Sequence, residues 1–429
     1  MKKLQTKILM ILAVLSCSAA VSLKAGEPWE LTRAAGNFRQ YTVADSTHAS
    51  ALAVPCGFSL FCIEHYGRHG SRFHTDYARH DSILAFLNRY EAVHALTTCG
   101  TSLLEEVKTR RTAMTNRLGE LTPVGANQHK AIARRMTERY RQLFGSETRL
   151  RAISSPVVRC VLSMANAIGE IRGLVPGLDA SIDASATDQP MLRNMSSNTD
   201  KGYIGSDKGA LEEYCNANPT SRQWLFKIIK PEYASAVSDE EAEIMADKLF
   251  DILADTPSEG MLSPCRDIFS DNDISLLARK RNARWFVECG DYLPCGGRGM
   301  NTALMLLDDM IKRSDEAMAR HTPSVDLRFG HESTLLPLLC LMQIDSCGRG
   351  YAALSDLPGH WESGEVFPMA SNLQLIFCRN SAGKVLVKAL LNENEAQLPV
   401  VPDLDGWTDW ETLKAYYIKR IAWQRTRHS

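Results

Sequence analysis

An apolar run from Phe58 to Ile63 leads into Arg68-His69-Gly70-Ser71-Arg72. The run reads as a buried strand. Two guanidiniums, an imidazole and a glycine follow within five residues, just past the strand end. In an open α/β sheet the strand ends are where ligands bind. Arg presents a planar fork that matches phosphate oxygens, and His can attack phosphorus as well as act as a base. Gly70 lets the backbone turn and lets a ligand approach closely. The plain alternative for one such triplet is a solvated basic loop. A metal reading also exists, because His65 and His69 stand four apart. Gly67 and Gly70 argue against the helix that would put them on one face, and no Glu sits where a metalloprotease motif needs one.

The same arrangement recurs twice. Residues 149–155 read as a short strand, with Ser155 as the N-cap and Pro156 as the first residue of a helix running to about Arg172. Arg159 falls in its first turn, where a helix N-terminus already favours anions. Residues 324–329 read as another strand, followed by Gly330-His331-Glu332 and a helix over 333–342. Three such strand ends can converge on one crevice.

The rest of the chain supplies the layers. Helical spacing covers 75–98 and 101–118, and Thr122 caps a helix over 124–144. The basic face of that helix (Arg134, Arg135, Arg139, Arg141) reads as solvated. From about 180 to 299 strand-like runs vanish, and helical patterns occupy 222–229, 239–254 and 273–289. A helix over 300–319, a hairpin from 373–378 and 384–391, and a helix over 408–422 complete the pattern. The expected fold is α/β: an open, mostly parallel sheet flanked by helices, built from 26–179 and 300–429, with a helical cap domain inserted at 180–299.

The 429 residues are 45% hydrophobic and 23% charged, which is ordinary globular composition. Residues 1–25 read as a targeting segment: a basic start through Lys7, an apolar stretch from Ile8 to Leu15 too short to span a bilayer, and a cleavage site at Leu23-Lys24-Ala25. Val14-Leu15-Ser16-Cys17 loosely matches a lipobox, so lipidation of Cys17 is the alternative fate and the one route to a membrane. Either way export is expected: periplasmic, secreted or at the cell surface. The net charge is −1, and removing the four leader lysines gives −5, so a globally basic nucleic-acid-binding surface is not supported. A polyanionic substrate would need positive charge focused in a cleft. Of the twelve cysteines, eleven remain without Cys17, and an oxidising compartment permits disulfides among them. Cys289 and Cys295 flank a turn and are the expected local pair. Cys62, Cys160 and Cys340 sit in apolar runs and read as buried free thiols.

Four motifs in order (Arg68-His69-Gly70-Ser71-Arg72, Leu121-Thr122-Pro123-Val124-Gly125, Ser154-Ser155 with Arg159, and Arg328-Phe329-Gly330-His331-Glu332-Ser333-Thr334-Leu335) resemble the histidine phosphatase superfamily. The resemblance is to the branch of acid phosphatases, phytases and multiple inositol polyphosphate phosphatases, with a phosphoglycerate-mutase-like core. It implies hydrolysis of phosphomonoesters in two steps without a metal or other cofactor. His69 would form a phosphohistidine, Arg68, Arg72, Arg159 and His331 would hold the phosphoryl oxygens, and Glu332 would protonate the leaving alkoxide. The physics agrees: such catalysis is mostly positioning and charge neutralisation, with a proton donor for a poor leaving group.

Two departures stand out. The first motif continues as Phe73-His74, where many relatives reach a proline. Glu332 directly follows His331, where phytases commonly have Asp, while inositol polyphosphate phosphatases commonly carry their Glu one place later, the place Ser333 holds here. The expected substrate is a small phosphomonoester, an inositol polyphosphate such as phytate. Lys201, Lys208 and Lys280 of the cap, with Lys227 and Lys230, are candidates to meet its further phosphates. A broad-specificity acid phosphatase is the alternative. An inactive phosphate-binding protein and a mutase are less supported, the first because His69, Arg72 and Glu332 are intact, the second because of the cap and the leader.

Overall fold

The computed structural model describes residues 31, 33–41, 52–193 and 207–426. The expected targeting segment at 1–25, with Cys17, and Lys201 lie outside them. Among the described residues no helix is long and apolar enough to cross a membrane.

Eight strands form one sheet: β1 (Phe58–Arg68), β2 (Arg149–Ser154), β3 (Ala180–Asp183), β4 (Ser324–Gly330), β5 (Asn372–Asn380), β6 (Val385–Leu391), β7 (Asn394–Ala396) and β8 (Thr408–Asp409). Their order is β3-β2-β4-β1-β5-β6-β7, with β8 on β6. β1, β2, β3 and β4 are parallel. β5 joins β1 antiparallel, and the pairings beyond it are antiparallel too. The sheet is therefore mixed rather than mostly parallel. The chain passes from β4 beyond β1 through residues 331–371 before β5 lies antiparallel on the other edge of β1, and the short connection from β5 to β6 makes those two antiparallel neighbours.

Helices cover both faces: α1 (Ala78–Glu91), α2 (Thr98–Ala113), α3 (Pro123–Arg139), α4 (Val158–Leu174), α5 (Gln189–Leu192), α6 (Lys208–Asn216), α7 (Gln223–Ile228), α8 (Pro231–Ala234), α9 (Asp239–Ala254), α10 (Asp271–Cys289), α11 (Leu304–Met318), α12 (Glu332–Met342), α13 (Ser363–Val366) and α14 (Trp410–Thr426). The alternation of the strands assigns the layers. Ile376 and Cys378 face α3 and α4 with Leu150, Ala152 and Val325. Leu373, Leu375 and Phe377 face the opposite layer, which holds α11, α12, α14 and the second half of α10.

A third core makes a helical lobe. Ile83, Phe86 and Leu87 of α1 and Leu103, Leu104 and Val107 of α2 pack on Trp224, Ile228, Leu249 and Phe250 of α7 and α9. The lobe therefore does not coincide with 180–299. It takes α1 and α2 from the segment expected in the sheet domain, and β3 at Ala180–Asp183 pairs with β2 and belongs to the sheet. Apolar stripes find partners by shape, and these two helices have their partners beyond residue 220.

Cys289 and Cys295 form no disulfide, contrary to the expected pair. Cys289 is buried in the core beside Phe286, whereas Cys295 lies on the turn Leu293–Cys295. The neighbouring thiols are instead Cys340 with Cys347 and Cys99 with Cys265. Cys62, Cys160 and Cys340 are buried and free.

Candidate active site

The parallel strands β1, β4 and β2 end side by side. The backbone N–H of His69 donates to Gly330 O at 2.9 Å, and that of Ser155 to Phe329 O at 2.9 Å. The first motif is braced from α3. Thr122 caps that helix, its hydroxyl accepting from Gly125 N at 3.3 Å. A Cβ on Gly70 would come within 2.5 Å of Gly125 O, and one on Gly125 within 2.2 Å of Ser71 O. The close neighbour that Gly70 admits is thus another stretch of backbone.

His69 Nδ1 lies 2.8 Å from Gly70 O. A carbonyl can only accept, so Nδ1 carries the proton and Nε2 keeps its lone pair. Burial, then the charge of Arg159, pushes the imidazole down to about 3, so it is neutral at any mild pH. His331 caps α12 with its ring edge-on to His69, centroids 5.5 Å apart. Its Nδ1 is 3.4 Å from Arg159 Nη2 and its Nε2 is 3.3 Å from Ser155 Oγ. Burial, then His69 and Arg159, likewise holds it well below the usual range. Ser155 is therefore not the N-cap of α4. The helix starts at Val158, and the hydroxyl serves the imidazole instead.

Arg68 has no exposed surface. Its Nε and Nη2 bind Glu332 Oε2 and Oε1 at 3.1 and 3.0 Å. Its Nη1 donates to Asn37 O and Phe367 O, both at 2.8 Å. The fork expected to hold phosphate thus grips Glu332, whose Oε2 also lies 3.4 Å from His69 Nε2. Burial alone would raise the Glu332 carboxyl, but the charge of Arg68 outweighs it and holds the carboxyl well below the usual range. Arg72 donates from Nη1 to Phe73 O at 3.1 Å and lies 5.7 Å from the Phe38 ring.

His69, His331 and Glu332 are the described His, Cys, Asp or Glu residues close enough together to hold an ion. They do not fit a cation well. The Arg68 fork occupies Glu332, and the positive field of Arg159, which adds to burial in keeping both imidazoles neutral, repels a dication as it repels a proton. The pocket is built for an anion.

Sequence reasoning missed Arg193. It follows α5, whose Leu192 carbonyl accepts from Tyr66 Oη at 2.9 Å, while the same hydroxyl accepts from His331 N at 3.0 Å. A Cβ on Gly330 would meet both Tyr66 Oη and Leu192 O, at 2.1 and 2.3 Å. The charge of Arg193 acts on Arg159 and His331.

The cap lysines are not gathered at this pocket. Lys280 is buried and bonded to Thr220 Oγ1 at 2.8 Å and to Glu243, so it is spent inside the lobe. Lys227 and Lys230 hold the carbonyls of Asp267 and His94. Lys208 is an exposed first-turn residue of α6. Arg328, within the last motif, points to the sheet interior and pairs with Glu64 and Asp309, each at 2.6 Å.

Residues 67–264 match the model of the histidine phosphatase superfamily (branch 2). The chain is 26% identical over 323 residues to multiple inositol polyphosphate phosphatase 1 of Homo sapiens, covering 70% of this chain and 66% of that protein, just under two thirds of its length. It is 25% identical over 322 residues to the Gallus gallus counterpart, covering 70% and 69%. Its fold is similar to that of the Bifidobacterium longum multiple inositol polyphosphate phosphatase solved with phosphate, with a TM-score of 0.78 and 19% identity over 90% of this chain and 97% of that one. It is also similar to the phytase of D. castellii, with a TM-score of 0.67 and 12% identity over 91% and 86%.

Proposed function

Residues 67–264 of this chain are a branch 2 histidine phosphatase domain, and from that premise we propose that the protein hydrolyses phosphomonoesters through a phosphohistidine at His69, with inositol polyphosphates as its substrates. The observation that carries the reading is the His69 ring: neutral, tethered through Nδ1 to Gly70 O, and set among Arg159, His331 and Glu332.

In the first step Nε2 forms the P–N bond as the P–O bond to the alkoxide breaks. Arg72, Arg159 and His331 hold the equatorial oxygens. The arriving phosphoryl dianion shares the Arg68 fork with Glu332. Its charge raises the carboxyl, which takes up a proton from solvent and delivers it to the alkoxide. In the second step water attacks phosphorus, Glu332 accepts its proton, the P–N bond breaks and phosphate leaves. The names of the curated relatives support the inositol assignment. The commitment of Lys280 to Glu243 favours the broad-specificity alternative, because it removes one expected contact to a second phosphate. Export rests on the leader, Met1 to Ala25.

The test is phosphate release from phytate and from p-nitrophenyl phosphate, side by side, at mildly acidic pH with a chelator present. A higher kcat/KM for phytate supports the inositol reading. Equal efficiency, or turnover of the aryl ester only, moves the assignment to a general acid phosphatase. N-terminal sequencing of the mature protein tests the leader.

A further inference from the structure

The family span begins at residue 67, yet the first motif is held from outside it. Residues 36–41 form a strap that touches Arg68, Ser71 and Arg72. It opens with a single helical turn, Gly36–Phe38. Asn37 O accepts from Arg68 Nη1 at 2.8 Å. The buried Phe38 ring has its centroid 5.7 Å from the Arg72 guanidinium carbon. Gln40 Oε1 accepts from Ser71 Oγ at 2.7 Å, and its Nε2 donates to Ser258 Oγ, just past α9, at 3.0 Å. Gln128 of α3 joins the same group. Its Nε2 donates to Gln40 Oε1 at 3.0 Å, and its Oε1 accepts from Ser71 N at 2.9 Å. The far end is tied down as well: Met369 N donates to Arg39 O, and Tyr41 Oη to Glu393 Oε2, both at 2.8 Å.

Arg72 is held in a different manner from Arg68. Arg68 is neutralised by Glu332. Arg72 makes no ion pair within 4 Å among the described residues, although it is buried, and its Nε has no protein partner. The groups against it are uncharged: Phe73 O, 3.1 Å from Nη1, and the Phe38 ring. An aromatic face attracts a guanidinium without cancelling its charge. Arg72 is thus oriented and still open to an anion, whereas a carboxylate in that place would compete with the phosphoryl group. The ring itself is fixed from two other directions, by His74 with centroids 5.2 Å apart and by Arg281 at 5.6 Å. Arg281 is paired with Asp251, so among the described residues Arg72 is the cation on this ring that lacks a carboxylate.

We propose that Phe38 is a positioning residue for the reaction: its ring holds the Arg72 guanidinium in place for the phosphoryl group, and Gln40 keeps the strap in register. A segment outside the family span thereby completes the anion pocket. The proposal rests on reading Arg72 as an anion ligand.

The test is the dissociation constant of inorganic sulfate on the full chain, by calorimetry, in a double-mutant cycle between Phe38→Leu and Arg72→Ala. Sulfate needs no turnover, so a chain without phosphatase activity still returns the answer. Phe38→Leu should weaken sulfate about fivefold, the worth of one cation–π contact. Phe38→Tyr, which keeps the ring, should stay within about twofold of the wild type. In the Arg72→Ala background Phe38→Leu should cost nothing further, because the contact it removes is already gone. The same loss in both backgrounds would make Phe38 a packing residue and overturn the proposal, as would a loss that Phe38→Tyr shares. Sulfate binding that is absent from the wild type, or untouched by Arg72→Ala, would overturn the premise and the proposal with it. Where Phe38→Leu fails to fold, Gln40→Ala takes its place in the cycle, with a loss of affinity expected beside Arg72 and none beside Arg72→Ala.

Discussion

Arg68 and Glu332, 264 residues apart in sequence, are joined end to end: both fork nitrogens on one side of the guanidinium meet both carboxylate oxygens, at 3.1 and 3.0 Å. The pair closes β1 onto the first turn of α12. It also places the proton donor of the proposed reaction against the nucleophile. Holding the donor ionised until an anion arrives links protonation to substrate binding.

Replacing Glu332 with Gln keeps the shape and removes the proton. Steady-state kinetics should show kcat for phytate falling by about a hundredfold, the usual worth of a positioned acid. The loss should be smaller for p-nitrophenyl phosphate, whose leaving group needs no proton. Equal losses on both would place the need for Glu332 outside leaving-group protonation, in the water-attack step the two substrates share or in holding Arg68.

Arg159 and Lys280 should behave oppositely. Arg159→Ala removes a cation from the phosphoryl pocket, and kcat/KM should fall by roughly two to three orders of magnitude. Lys280→Ala breaks a pair inside the lobe, so kcat/KM for phytate should stay within about twofold while the melting temperature drops. A marked rise in KM for phytate alone in Lys280→Ala would restore that residue to the substrate site.

The buried Glu64–Arg328 pair is structural. Glu64→Ala should strand a fully buried guanidinium and cost about 3–5 kcal/mol in denaturant titration. Asp309 remains on the same guanidinium, which places the expected cost toward the lower end. Unaltered stability would contradict the buried geometry.

Acid should unfold the protein cooperatively. His65, His69 and His80 are pushed down to about 3 and His129 to about 4, each first by burial. A histidine with a depressed value stays neutral in the fold but takes a proton when unfolded. Each therefore removes about 1.4 kcal/mol per pH unit as pH falls from about 6.5 toward its folded value. Glu332, also depressed, adds a loss below the unfolded carboxyl value, near 4.3. Asp255, raised to about 6, acts in the opposite direction over its own range, as do the raised carboxyls of Glu64, Glu106, Glu288, Asp345 and Glu362 over theirs, so the fall is shallower than the imidazoles alone would give. Melting temperature should fall steadily below about pH 6. A flat profile down to about pH 4 would mean that these imidazoles are not buried neutral.

The strand–loop–helix units were legible because the period changes from apolar run to helix at each polar loop, and because Thr122 and Pro123 mark a helix start unambiguously. What escaped was decided by distant partners. Ser155 has the local signature of a cap, but His331 claims its hydroxyl. Arg193 lies in a polar stretch with no pattern, and its charge acts on Arg159 and His331 from beside Leu192, which Tyr66 tethers. Lys280 looks like a surface residue until Glu243 is placed beside it. The lobe boundary failed for the same reason, since α1 and α2 carry ordinary amphipathic stripes whose partners appear only beyond residue 220.

The central claim is that His69 carries the phosphoryl group. Its most direct test is to quench turnover of a radiolabelled phosphomonoester in alkali, where phosphohistidine survives, and to map the label by peptide. Label on the peptide containing His69, absent along with turnover in His69→Ala, is the expected result. Label on another residue, or turnover that persists in His69→Ala, would contradict the account.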